Sequence, residues 1–174
     1  MQDGSCLSEH ELKEAALEEM RFHFVFNTLN SIRYMIYRDQ DKAYSMVYDL
    51  AVFMREQMEH ILSREMIHIS GELRCAKAYA LLEEVQNFQM KLKWRCRDME
   101  GYVQAGAVLK AVEAAVKKYI RGAEDKRTLV VEDISGEHQA VRIWVAEEGN
   151  TSAAVIDVYD TMPARELQES QARP

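Results

Sequence analysis

Apolar positions recur with a helical period through the first part of the chain. Leu12, Ala15, Ala16, Glu19, Met20, His23, Phe24, Phe26/Asn27, Leu29/Asn30, Ile32/Arg33 and Ile36 follow one another at three- and four-residue steps. Ser8 and Glu11 form a capping box ahead of them, so the pattern predicts a helix over 8–37. The polar run 38–41, "RDQD", interrupts the period. A second period, Ala43, Met46/Val47, Leu50, Phe53/Met54, Met58 and Ile61, predicts a helix over 41–63. Two long helices joined by so short a break fold as an antiparallel hairpin. Each apolar stripe is too wide for one hairpin to bury. Two hairpins in a four-helix bundle remove the excess, which predicts a homodimer.

The pattern then changes character. "MIHIS", 66–70, alternates like a short strand, and Gly71–Phe88 has a helical period with Leu73, Ala76, Ala80, Leu81 and Val85 on its core side. "MKLKWRC", 90–96, alternates again. A helix is predicted over about 105–121, with Ala107, Leu109, Val112, Ala115, Val116 and Tyr119 inward. "RTLVVEDI", "QAVRIWVAE" and "AAVIDVYD" read as strands, separated by hairpin signals at Gly136 and Gly149-Asn150. The polar segment after Pro163 is expected to fray. The fold class is therefore α+β. A helical hairpin, 1–64, precedes a small α/β sandwich, 65–163, and a tail, 164–174.

Composition narrows the function. A net charge of −7, with no massed basic tract, argues against a nucleic-acid partner. The odd set Cys6, Cys75 and Cys96 matches no metal motif and suits free thiols in a reducing cytoplasm. No run of about 18 apolar residues predicts a membrane span, and no signal peptide is expected.

The candidate chemistry lies in "RFHFVFNTLNSIRYMI", 21–36. Glu19, His23 and Asn27 fall at four-residue steps and share a helix face. An imidazole nitrogen is a nucleophile when an acceptor holds the other nitrogen, a task open to Glu19 or to a neighbouring backbone group. Asn27 can reach a phosphoryl oxygen or a water one turn away. The competing reading is a half-buried helix histidine with a satisfied hydrogen bond. His10, His60, His68 and His138 have no partner at metal-ligand spacing and read as solvated or structural, and the ten methionines read as core filler.

The whole stretch resembles the phosphoacceptor segment of bacterial sensor histidine kinases of the LytS type. That family has a Pro-His-Phe-Leu-Phe-Asn-x-Leu-Asn run, matched here by His23, Phe24, Phe26, Asn27, Leu29 and Asn30. "DKAYSMVYDLAVFMRE" is similar to the family's second helix, with Arg55 at its arginine. Glu72, Leu73, Tyr79 and Glu83 match the segment that follows. The resemblance implies a dimeric four-helix bundle, a GHKL-like α/β domain that binds ATP, and phosphate passed from the histidine to an aspartate of a response-regulator receiver. It implies His23 as phosphoacceptor and gives Asn27 the place of a residue that positions water for dephosphorylating the partner.

The ATP half departs from the pattern. The family's Glu-Asn-Ala is "VEAAVKKYIRG" here, with Glu113 retained and Ala114 where the Mg²⁺-holding asparagine belongs. A methyl group cannot coordinate a metal. Glu113 is then expected to be an exposed helix charge. Asp160 stands where the family reads adenine, but Met162 replaces the glycine that lets backbone approach the nucleotide. Neither the lid nor a glycine-rich phosphate cradle is found. Phe22 replaces the family proline, Glu19 a glutamine, and Asn87 an arginine.

These residues predict a degenerate histidine-kinase-like protein with a truncated GHKL-like domain and no cofactor; ATP and Mg²⁺ enter only if the vestigial Glu113 and Asp160 still work. Its expected partners are a second copy and a receiver domain or related kinase. Passage of phosphate through His23 without ATP, an active kinase with an atypical site, and a non-catalytic scaffold that sequesters a kinase or regulator are the open mechanisms.

Overall fold

The computed structural model describes residues 9–63, 66–134, 140–147 and 153–160, and side chains over 22–59, 66–134 and 140–147. It is an α+β chain. Helices α1 (Glu9–Arg38) and α2 (Gln40–Ser63) come first, followed by β1 (Met66–His68), α3 (Ile69–Gln86), β2 (Met90–Arg95), β3 (Tyr102–Gln104) and α4 (Ala107–Ala115). A π-helical turn, Val116–Ile120, then leads to β4 (Arg127–Ile134), β5 (Ala140–Glu147) and β6 (Ala153–Asp160). The chain divides into two compact units, 1–47 and 48–174.

In the first unit the predicted four-residue break shrinks to one residue, Asp39. Its N–H still donates to Met35 O at 2.8 Å, its carbonyl accepts from Ala43 N at 2.9 Å, and its Oδ1 accepts from Lys42 N at 2.9 Å. Asp39 is thus the N-cap of α2, a role its short carboxylate favours. Phe24, Thr28 and Ile32 make a buried stripe on α1 at four-residue steps, and Ala43 and Met46 are buried on α2.

In the second unit a four-stranded sheet runs β2-β4-β5-β6. β2 lies parallel to β4, and the other pairs are antiparallel. Helices α3 and α4 lie against this sheet, and Leu129, Val131, Val141, Ile143 and Val145 on one of its faces are buried. Alternation along β2 leaves Lys91, Lys93 and Arg95 exposed. β2 is an edge strand among the described residues. Its Leu92 N–H is taken by Glu84 Oε1 of α3 at 2.8 Å and its Met90 N–H by Asn87 O at 2.9 Å, so two of its outward donors are occupied.

Several expectations are corrected. The strand predicted over 66–70 stops at His68, because the His68 imidazole accepts the Ser70 N–H at 3.3 Å and starts α3 there, before Gly71. β3 was not expected. It pairs with β1 from Met66↔Gln104 to His68↔Tyr102. Leu81 and Val85 are only half-buried, while Leu82 takes the core position. The reason is that α3 is covered on more than one side. Residues of α2 also meet it: Glu56 pairs with Arg74 at 2.8 Å, Gln57 Nε2 reaches Cys75 Sγ at 3.2 Å, and the Phe53 ring lies 6.2 Å from Tyr79. The hairpin signals at Gly136 and Gly149-Asn150, and Met162, lie outside the described residues.

Burial pushes the Cys75 thiol up to about 12, with Glu72 and Glu56 adding to the effect and the Gln57 bond opposing it. Burial, with Asp133 and Glu132, pushes Cys96 up to about 12 as well. An unfolded thiol ionises near about 8.5. Folding therefore keeps protons that the unfolded chain loses, so this part of the stability is complete below about pH 8.5 and falls as pH rises toward about 12. Urea midpoints measured from pH 8 to 11 are expected to decline, and the decline should be shallower in Cys75→Ala. An equal slope in both proteins would contradict the burial of this thiol.

Candidate functional site

α1 presents His23 at the surface because its neighbours fix the helix rotation. With Phe24, Thr28 and Ile32 inward, positions 22, 23, 26, 27, 29 and 30 face out. His23 Nδ1 lies 3.1 Å from Asn27 Nδ2, one turn on. Thr28 Oγ1 donates to Phe24 O at 2.9 Å and Ser31 Oγ to Asn27 O at 3.0 Å, so the local hydroxyls are used within the helix. The imidazole is exposed rather than half-buried in the core. Phe22 and Phe26 are exposed next to it, and Leu29 and Ile36 farther along α1, at 69%, 66%, 51% and 48%. Together with Arg33 these positions step by four, three, four and three residues, the spacing of a coiled-coil seam. Glu19 belongs to α1, but its side chain lies outside the described residues.

The residues matched to the nucleotide half form a different environment. Glu113 is half-buried on α4, which corrects the expectation of an exposed helix charge, and its carboxylate acts on the Tyr79, Cys75 and Arg121 groups. Tyr79 OH donates to Glu83 Oε1 at 3.0 Å, and Arg121 pairs with the same oxygen. Burial, followed by the Glu83 charge, holds the Tyr79 hydroxyl above its ordinary range. Ala114, next to Glu113, is exposed and offers only a methyl group. Asp160 is the last residue of β6, opposite Ala140, and its side chain is not among those described. His23 belongs to the unit 1–47, and Glu113 and Asp160 to the unit 48–174.

Two groups of positions acquired roles that spacing did not reveal. Glu72 is fully buried and accepts from Gly106 N through Oε2 and from Leu109 N through Oε1, both at 2.9 Å. It caps α4, whose own N-cap is glycine at φ 77°. Arg121 completes the Tyr79–Glu83 pair from 38 residues away. Only the i, i+4 placement of Tyr79 and Glu83 could have signalled that cluster. Among the described residues no group of three or more His, Cys, Asp or Glu side chains is arranged to hold a metal, and no helix is long and apolar enough to cross a membrane.

Comparison with known proteins agrees with the resemblance. The histidine kinase family model matches residues 13–90, which span α1 from Lys13, α2, β1, α3 and the first residue of β2. The sensor histidine kinase BtsS of Escherichia coli K12 is 32% identical over 71 residues, covering 41% of this chain and 12% of the relative. BtsS of Shigella flexneri matches to the same extent. The aligned part of this chain thus spans about an eighth of these relatives' length. Segment 13–90 belongs to the histidine kinase family.

Proposed function

We propose that the chain acts in two-component or phosphorelay signalling in the cytoplasm, as a histidine-kinase-like dimer that docks a receiver domain and passes phosphate through His23 without using ATP. The observation that carries this reading is the exposed His23 imidazole, set on a family-matched helix beside an exposed apolar seam.

The nucleotide half supports the absence of ATP chemistry. Phosphoryl transfer from ATP needs a metal ligand and positioned charge. Ala114 offers no donor, and the Glu113 carboxylate sits with the Tyr79, Glu83 and Arg121 groups in a half-buried setting. These residues do not fit Mg²⁺-ATP. A receiver aspartyl phosphate is the donor in this reading. Its acyl-phosphate bond breaks as an N–P bond forms on His23, and the reverse step reloads another receiver.

The test uses a receiver domain loaded with labelled phosphate and, separately, labelled Mg²⁺-ATP. Label reaching the chain from the receiver but not from ATP is expected. Label from ATP on His23 would make the protein an active kinase.

The seam at 22, 26, 29, 33 and 36 supports the dimer of this reading. A second copy would cover apolar side chains that are half to two-thirds exposed. Phe26→Glu places a charge in that interface and is expected to convert the dimer to a monomer with its helix content intact. Light scattering beside circular dichroism reads both. An unchanged mass would remove this face as the interface.

A further inference from the structure

We infer that Asn27 is the residue that positions the His23 ring, by occupying Nδ1 and leaving Nε2 as the ring nitrogen open to a phosphoryl donor. This rests on the reading of His23 as phosphoacceptor, although its test needs no partner protein.

The geometry is local. The amide nitrogen of Asn27 lies 3.1 Å from His23 Nδ1, and both side chains are exposed on one face of α1. The residue following the histidine, Phe24, points into the buried stripe and carries no polar atom that could hold the ring. Among the described residues, Asn27 is the side chain found hydrogen-bonded to this imidazole. An imidazole with one nitrogen held has only the other free for attack.

The amide also suits both stages of a transfer. In the orientation seen here Nδ2 donates to the Nδ1 lone pair, which places the ring proton on Nε2. A half-turn about Cβ–Cγ brings Oδ1 to nearly the same position, where it accepts the Nδ1 proton and leaves the Nε2 lone pair free. Either way Nδ1 stays covered. A carboxylate in that place would fix the second arrangement alone. A methyl group would fix neither and would leave Nδ1 open.

The probe is phosphoramidate, a small phosphoryl donor, applied to the full chain. Its P–N bond breaks, an N–P bond forms on the ring, and ammonia leaves with the displaced proton. The phosphorylated nitrogen of His23 is identified by ³¹P and ¹⁵N resonances, with His23→Ala subtracting signals from the other histidines. Phosphate on Nε2 is expected in the wild type. In Asn27→Ala the ratio of Nε2 to Nδ1 product should fall about fivefold or more, the factor that corresponds to one ordinary hydrogen bond. Asn27→Asp should restore the preference, which a merely structural residue would not do. A ratio unchanged in Asn27→Ala, or phosphate mainly on Nδ1 of the wild type, would overturn the inference. Should Asn27→Ala fail to fold, ring ¹⁵N spectra of the wild type decide: a hydrogen bond at Nδ1 supports it, and a freely exchanging ring refutes it. A receiver that exchanges no phosphate with His23, while the nitrogen preference still follows Asn27, would end the relay reading and leave the positioning role intact.

Discussion

His23→Ala is expected to abolish receipt of phosphate from a loaded receiver while leaving the proposed dimer and the proposed docking of that receiver unchanged. The imidazole is exposed and outside the buried stripe formed by Phe24, Thr28 and Ile32, so its removal takes nothing from the helix's packing. What disappears is the nucleophile. Deleting a covalent nucleophile lowers rates by roughly a thousandfold or more. Transfer of label from receiver to chain, followed by acid-labile counting, measures the loss, and sedimentation or titration measures binding. Retained transfer in the variant would show that another side chain carries the phosphate. Loss of both transfer and binding would place His23 in the docking surface. Intact binding in a wild type that never takes label would leave a scaffold that sequesters its partner.

Glu72→Ala is expected to produce the largest loss of stability. The carboxylate is fully buried and takes two backbone N–H groups of the α4 start, at Gly106 and Leu109. Glycine at the N-cap supplies no side-chain acceptor of its own. Alanine would strand both donors away from water, a penalty of about 1–3 kcal/mol for each, partly relieved by local relaxation. A net cost of about 3 kcal/mol lowers the melting temperature by roughly 6–12 °C in a chain of this size. Glu72→Gln keeps one carbonyl oxygen and should lose about half as much. A melting temperature within about 1 °C of wild type in Glu72→Ala would show that the α4 donors find another acceptor. Receiver binding to α1 should survive either substitution at temperatures where the second unit is folded.

Glu72 also marks a limit of family resemblance as a source of function. Glu72, Leu73, Tyr79 and Glu83 align with a family segment, and nothing in that alignment separates reactive from structural positions. In the fold Glu72 caps a helix, while Tyr79 and Glu83 share a buried hydrogen bond that Arg121 completes. Glu113 shows the converse. Beside Ala114 it reads as a leftover charge on a solvent face, yet it is half-buried among groups whose ionisation it affects.

The sequence by itself determined what depends on neighbours within a turn. The helical period over α1 and α2, the three C-terminal strands, and the placing of His23 and Asn27 on one face all follow from steps of two, three and four residues. The Asn27 contact with the ring is an i, i+4 contact and therefore within reach of helical spacing. Tertiary structure decided the rest. The α4 cap joins positions 34 and 37 residues apart, and the Glu83–Arg121 pair spans 38. α3 is also met by Phe53, Glu56 and Gln57 of α2, contacts that span 18 residues of sequence or more and leave no trace in its period. Periodicity records which face of a helix is apolar. It does not record how many neighbours a helix has, and a buried carboxylate has no pattern until the fold supplies the donors it accepts from.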